Sequence, residues 1–197
     1  MNSALRIAVA DDEPFLRAYF QDVLPDLGHE VVGAAATGRE LVELCQRTNP
    51  DLVISDIRMP DMDGIDAAAE ISRERQTPII LVSAFHDPEY IARAEQSYIL
   101  AYLIKPVERA HLETAIAIVR RRFAEFESLR QETKDLKQAL EDRKTIEKAK
   151  GVLMRRTRLA EHDAFRTMQK LSRDQNLKLI EVARKILESE GPAPPRR

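Results

Sequence analysis

The chain has 197 residues, 44% of them apolar and 32% charged, with a formal net charge of −2. This composition supports one large or two small cores. No run reaches the roughly 20 apolar residues of a membrane span, and no basic segment leads into an apolar one at the N-terminus, so a cytoplasmic protein is expected. The lone Cys45 excludes an intramolecular disulfide, and His29, His86, His111 and His162 lack metal-ligand spacing.

Strand-like and helix-like segments alternate through the first half. Strands are predicted near 5–10, 30–34, 51–55, 78–82 and 100–104, and helices over 14–26, 38–48, 65–74 and 88–96. A further helix begins near 107. Gly28 and Gly38 mark turns, Pro50 and Pro60 interrupt helical continuation, and Gly64 precedes the third helix. The pattern predicts an α/β fold with a five-stranded, parallel, doubly wound sheet.

The ends of the predicted strands carry the chemistry. Asp11 and Asp12 close the apolar run Leu5–Ala10, and Asp56 closes Asp51–Ser55. If those strands are neighbours, three carboxylates meet at the carboxyl edge of the sheet, where ligands bind in such folds. Crowded acids raise one another's pKa unless a cation sits among them, and Mg2+ takes hard oxygen ligands while leaving room for phosphate oxygens. Two further runs end in Ser83 and in Lys105, a hydroxyl that can donate to a phosphoryl oxygen and an ammonium that can neutralise one. Singly, Ser83 reads as a strand-end cap, Lys105 as a surface charge, and Asp61 and Asp63 as turn formers. At four strand ends together they read as a phosphoryl site. The Lys105-Pro106 step is a candidate cis bond.

Val-Ala-Asp-Asp-Glu-Pro at 9–14, Ser-Asp-Ile-Arg-Met-Pro-Asp-Met-Asp-Gly at 55–64, Ser83-Ala84 and Lys105-Pro106 resemble the receiver domain of two-component response regulators. The resemblance implies a flavodoxin-like domain over 1–120, in which a sensor histidine kinase phosphorylates Asp56. It also implies that Asp11, Asp12, Asp56 and the main-chain carbonyl of Arg58 hold Mg2+, that Lys105 pairs with the phosphate, and that Ser83 and Tyr102 form the switch pair. Any catalysis is expected to be confined to the domain's own phosphoryl transfer and hydrolysis. Tyr98 departs from the small-residue turn usual before the last strand, which bears on the shape of the signalling face.

The second half has the opposite charge. Residues 1–106 carry 9 Lys/Arg against 18 Asp/Glu, whereas residues 107–197 carry 22 against 15. A basic module suggests an anionic polymer as partner, although a mixed-charge exposed helix accounts for many of these residues. No proline or glycine interrupts Val107 to Lys150, so one long helix is predicted to about Met154. Apolar residues at 112, 116, 119, 123 and 126 step by four and three, then resume out of phase at Leu129, Leu136 and Leu140. That reads as a coiled-coil linker over 121–140 with a discontinuity, against the alternative of a solitary helix folded onto the first domain. Helices over 161–173 and 177–188 complete an all-α three-helix output domain with Phe165 in its core, followed by a flexible tail over 190–197.

Ala139-Leu140-x-x-Arg143-x-x-Ile146-x-x-Ala149-Lys150-Gly151-Val152-Leu153-Met154, then Glu161-x-x-Ala164-Phe165 and Val182-Ala183, resemble the ANTAR domain of AmiR and NasR type antitermination regulators, over 129–189. The resemblance implies binding of RNA hairpins and transcription antitermination, with a homodimer expected on activation. The expected RNA contacts are Arg143, Lys144, Lys148, Ala149, Lys150, Gly151 and Arg155, the cations reaching phosphates and Gly151 permitting close approach. Ala160 stands where a capping serine is common. No helix-turn-helix signature is present, which makes DNA the least expected partner; a protein-interaction module is the alternative to RNA.

Overall fold

The computed structural model describes residues 4–84 and 98–189. The chain divides into two compact units, Met1–Glu127 and Ser128–Arg197. In the first, β1 (Arg6–Ala10), β2 (Glu30–Ala35), β3 (Leu52–Asp56), β4 (Ile79–Ser83) and β5 (Ile99–Ile104) form one parallel sheet in the order β2-β1-β3-β4-β5. Around it run α1 (Pro14–Asp26), α2 (Gly38–Thr48), α3 (Gly64–Glu74) and the start of α4 (Arg109–Thr157). The expected helix over 88–96 and the expected tail over 190–197 lie outside the described residues.

Apolar residues on the inner strands alternate between two cores, as the period of two requires. Ala8, Ala10, Val53, Ile79 and Leu81 pack with Leu41, Val42, Ile65 and Ile71 from α2 and α3. Their neighbours Ile7, Val9, Leu52, Ile54, Ile80 and Val82 pack on the other face with Phe20 and Leu24 of α1 and Leu112, Ile116 and Val119 of α4. Each fully buried aliphatic side chain contributes about 1.5–3 kcal/mol. A one-residue slip would send every strand residue to the wrong layer, so register is strongly specified.

Local chemistry fixes where the helices begin. Pro14 opens α1 at a position that needs no N–H donor. Thr37 caps α2 by accepting from Glu40 N at 3.2 Å, and Glu40 Oε2 accepts from Ala36 N at 2.7 Å. Asp63 caps α3 by accepting from Asp66 N at 2.7 Å. Asp61 has φ 66°, a left-handed turn position that Asp tolerates. Both loop aspartates therefore form turns.

Helix α4 is continuous for 49 residues. It begins two residues later than predicted, because Val107 enters the core ahead of it. Its apolar stripe is buried through Val119; beyond that Phe126 is 46% exposed, and Leu129, Leu136 and Leu140 are 63%, 60% and 58% exposed. Tyr98, just before β5, sets its ring edge-on against Phe123 and Phe126, with centroids 6.5 and 5.6 Å away. This places Tyr98 at the amino end of β5, away from the strand's carboxyl end where Lys105 lies.

In the second unit, α5 (Glu161–Asp174) and α6 (Leu179–Glu188) pack with the end of α4 around Ala149, Met168, Val182 and Ala183. Ile146, Leu153, Leu171 and Leu187 close that cluster. Phe165, expected in the core, is half-buried and outside the cluster; Met168, one turn on, is fully buried in its place. Ala160 precedes α5 without a side-chain cap bond. Helix α6 is better capped, with Lys178 N donating to Glu181 Oε2 at 2.7 Å.

Candidate functional site

The adjacency of β1, β3, β4 and β5 carries Asp11, Asp56, Ser83 and Lys105 to one edge. Ala10 pairs with Ser55 and Asp56 with Val82, so Asp11 and Asp56 emerge from adjacent strands. Ser83 pairs with Ile104, and Lys105 N donates to Ser83 O at 2.8 Å, which continues the ladder one residue past β5. The Lys105-Pro106 bond is cis. Carboxylate oxygens of Asp11, Asp12 and Asp56 lie within 4.8 Å of one another.

Lys105 Nζ sits among the acids, 2.8 Å from Asp56 Oδ2, 3.0 Å from Asp11 Oδ2 and 3.2 Å from Glu13 Oε1. Asp11 is fully buried, Asp56 and Ser83 nearly so, and Asp12 is exposed. Burial pulls the Lys105 ammonium down, but the hydrogen bond to Asp56, the close contact with Asp11 and the negative charge of both outweigh it and hold the group above its ordinary value. Asp11 also moves up, which for a carboxyl disfavours the charged form. Burial raises it, and the Asp56 charge adds to that, against the opposing hydrogen bond from Glu13 N and the close Lys105 ammonium.

Asp56 is anchored through its other oxygen. Oδ1 accepts from Ile57 N at 2.6 Å and Arg58 N at 3.4 Å, leaving Oδ2 toward Lys105. Gly64 backs this arrangement: a Cβ there would fall 2.0 Å from Asp56 O, and Gly64 N donates to Ile57 O at 2.8 Å. Arg17 Nη1 donates to the carbonyls of Asp11 and Asp12 at 2.7 and 3.0 Å, bracing the turn after β1. Tyr102 is half-buried beside the α2–α3 core, paired with Leu81 two residues before Ser83. Sequence reasoning missed Glu13 and Arg17 as parts of the site. Glu13 adjoins the acidic pair and could have been included on charge alone; Arg17 acts through backbone carbonyls, which leave no side-chain signature.

The donor set fits a hard divalent cation. All three carboxylates offer oxygen, and buried Asp11 Oδ2, despite its ion pair with Lys105, lacks a hydrogen bond of acceptable geometry. Three acids around one lysine, with Glu13 at the rim, leave excess negative charge at a buried site. A cation added there would satisfy the orphaned oxygen.

The expected nucleic-acid contacts of the second unit divide. Arg143, Lys144, Lys148 and Arg155 are exposed and Gly151 is half-buried. Ala149 is fully buried in the three-helix core, so it supports packing and cannot meet an RNA strand. Lys150 is 9% exposed, clasped by Glu147 Oε2 at 2.6 Å and Glu161 Oε1 at 2.7 Å. The hydrogen bond to Glu147, then that to Glu161, holds its ammonium above the ordinary lysine value, and Glu161 is lowered in return. Lys150 therefore ties α4 to the start of α5. No described helix is long and apolar enough to cross a membrane.

Residues 7–117 match the response regulator receiver domain family, and residues 134–187 match the ANTAR domain family. The chain is 39% identical over 186 residues to transcriptional regulatory protein PdtaR of Mycobacterium tuberculosis, covering 94% of this chain and 91% of that one. It is 34% identical over 112 residues to chemotaxis protein CheY of Thermotoga maritima, covering 56% of this chain and 93% of the other. Among solved structures, the signal receiver domain of the NarL response regulator of M. tuberculosis superposes with a TM-score of 0.57 at 32% identity. That match covers 61% of this chain and 98% of the other.

Proposed function

The chain belongs to the response regulator receiver family and carries an ANTAR domain behind its receiver, and on that premise we propose that phosphorylation of Asp56 by a sensor histidine kinase controls binding of RNA hairpins and transcription antitermination. The observation that carries this reading is the convergence of Asp11, Asp56 and Lys105, with Lys105 Nζ 3.0 and 2.8 Å from the two carboxylates.

In this reading Asp56 attacks the phosphorus of the donor phosphohistidine. The O–P bond forms as the P–N bond breaks, and the leaving imidazole nitrogen takes up a proton. Asp11, Asp12, Asp56 and the main-chain carbonyl of Arg58 would hold Mg2+, which would supply positive charge for the transferred phosphoryl oxygens. Lys105 follows Asp56 from carboxylate to acyl phosphate and pairs with a phosphoryl oxygen. The modification replaces one negative charge by about two and adds acceptor oxygens. Ser83 supplies a hydroxyl to one of them, and half-buried Tyr102 repacks with it. The receiver's own residues then assist hydrolysis of the acyl phosphate.

Exposed Leu129, Leu136 and Leu140 on α4 supply a seam for a second copy, so the active form is read as a homodimer. The same apolar residues support a second reading, in which the output is a protein partner without direct RNA contact. The test compares hairpin binding and oligomeric mass with and without beryllofluoride and Mg2+. Tighter, salt-sensitive hairpin binding with doubled mass supports the first reading; no RNA binding in either state leaves the second.

A further inference from the structure

Two of the three carboxylates that fit a cation, Asp11 and Asp12, are neighbours in the short turn between β1 and α1. They are held very differently. Asp11 N donates to Ala35 O at 3.2 Å, its Oδ1 accepts from Glu13 N at 2.9 Å, its Oδ2 lies 3.0 Å from Lys105 Nζ, and its carbonyl accepts from Arg17 Nη1 at 2.7 Å. Of these partners, Arg17 is the one that also reaches exposed Asp12, on its carbonyl oxygen at 3.0 Å. Arg17 reaches back from the first turn of α1, where its own N–H donates to Glu13 O at 3.2 Å. The side chain closes a ring over residues 11–17, and the backbone bond closes a smaller one within it.

The guanidinium acts on a neighbouring cation in two opposed ways. Its positive charge repels one, so on charge alone its loss would tighten metal binding. Its position favours one, because a carboxylate whose backbone is already fixed loses less freedom on ligation. Arg17 is half-buried and Asp12 exposed, so solvent screens the repulsion. The positional effect depends on the ion. Mg2+ demands near-ideal octahedral geometry at about 2.0–2.1 Å, whereas Ca2+ accepts flexible geometry at about 2.3–2.6 Å.

We propose that Arg17 is a positioning residue that favours Mg2+ over larger divalent cations by fixing the turn that carries Asp11 and Asp12. The inference rests on the metal reading of the acidic cluster and adds to it a residue that touches no ligand. Arg17 acts through two main-chain carbonyls, and Asp12 depends on it most. Asp11 keeps three other restraints when Arg17 is removed.

The experiment titrates the full chain with Mg2+ and, separately, with Ca2+, following the amide resonances of Asp12 and Glu13 by NMR. Arg17→Met should weaken Mg2+ binding about tenfold, as loss of a group that orients a metal ligand does, and change Ca2+ binding by less than about threefold. The preference for Mg2+ should fall accordingly. A purely structural Arg17 would lower the melting temperature and leave the ratio of the two affinities at its wild-type value, which overturns the proposal. Tighter Mg2+ binding in Arg17→Met also overturns it, because charge would then outweigh position. If Arg17→Met does not fold, Arg17→Lys keeps the charge without the planar fork; a fall in Mg2+ preference in that variant supports the proposal, and an unchanged preference overturns it. Failure of the unaltered chain to bind Mg2+ overturns the metal reading and this inference with it.

Discussion

Lys105 and Lys150 are both lysines clasped by carboxylates, and their surroundings give them different work. Around Lys105 two of the acids, Asp11 and Asp56, lie deep at strand ends, Asp12 and Glu13 add charge at the rim, and Asp11 Oδ2 lacks a hydrogen bond. Around Lys150 two carboxylates suffice, and both are at the surface, with side chains 52% and 69% exposed. The first cluster retains unmet demand for positive charge and can respond to a cation or a phosphoryl group. The second also has more acid than base, but its carboxylates lie in solvent, which screens the surplus, and it serves to join α4 to α5.

The largest test of this contrast is Asp56→Ala, which should abolish phosphoryl uptake from a phosphorylated kinase or small-molecule donor, read by phosphate-affinity electrophoresis. Uptake at wild-type level would remove Asp56 as acceptor and with it the functional distinction between the clusters. Next in size, Gly64→Ala forces a methyl against Asp56 O and should cost about 1–3 kcal/mol in chemical denaturation. Loss of Mg2+-dependent phosphorylation should accompany that cost.

A smaller effect separates the clusters through Mg2+ itself. Lys105→Met should increase the thermal stabilisation gained from Mg2+, because the competing ammonium is gone while the acids remain. Lys150→Met should leave that gain unchanged. Equal responses in the two variants would mean that both clusters bind the ion or that neither does.

The subtlest test is the order of titration in Mg2+-free protein, followed by carboxyl carbon NMR. Asp11 should titrate above 3.8, its ordinary value, and Glu161 below 4.5, its own. The linkage signs are opposite. A raised folded Asp11 makes its ionisation unfavourable to the fold, so that contribution worsens as pH rises through the folded value and eases on acidification. A lowered folded Glu161 stabilises above its unfolded value and is lost as pH falls through the folded one. If Asp11 titrates below its ordinary value, burial does not dominate at the first site and its carboxylate is already satisfied without a cation.

The same contrast explains what could be read from the sequence. Strand ends have a fixed direction, so once Asp11, Asp56, Ser83 and Lys105 were placed at the ends of apolar runs, their convergence followed from sheet topology. A lysine on a helix has no such constraint. Spacing shows Glu147 three residues back on the same helix, but the second clasp on Lys150 comes from Glu161, eleven residues on and on another helix, and periodicity cannot show where that helix docks. Ala149 and Phe165 were misplaced for a related reason, since in a core this small one turn of helix decides which side chain reaches the centre. Element boundaries shifted by one to three residues, most usefully at β3, where Asp56 is the last strand residue and owes its fixed backbone to the ladder.

The parallel order of the sheet also has a consequence for how the protein is made. Asp11, Asp12 and Asp56 leave the ribosome before Lys105, and sheets with long-range parallel pairing close slowly. Until β5 pairs with β4, the nascent acids have no lysine among them, and mutual repulsion opposes the edge that β1 and β3 must form. Docking of the last strand supplies the missing charge. Completion of the sheet therefore brings the one ammonium to the site and lessens, without cancelling, its excess negative charge.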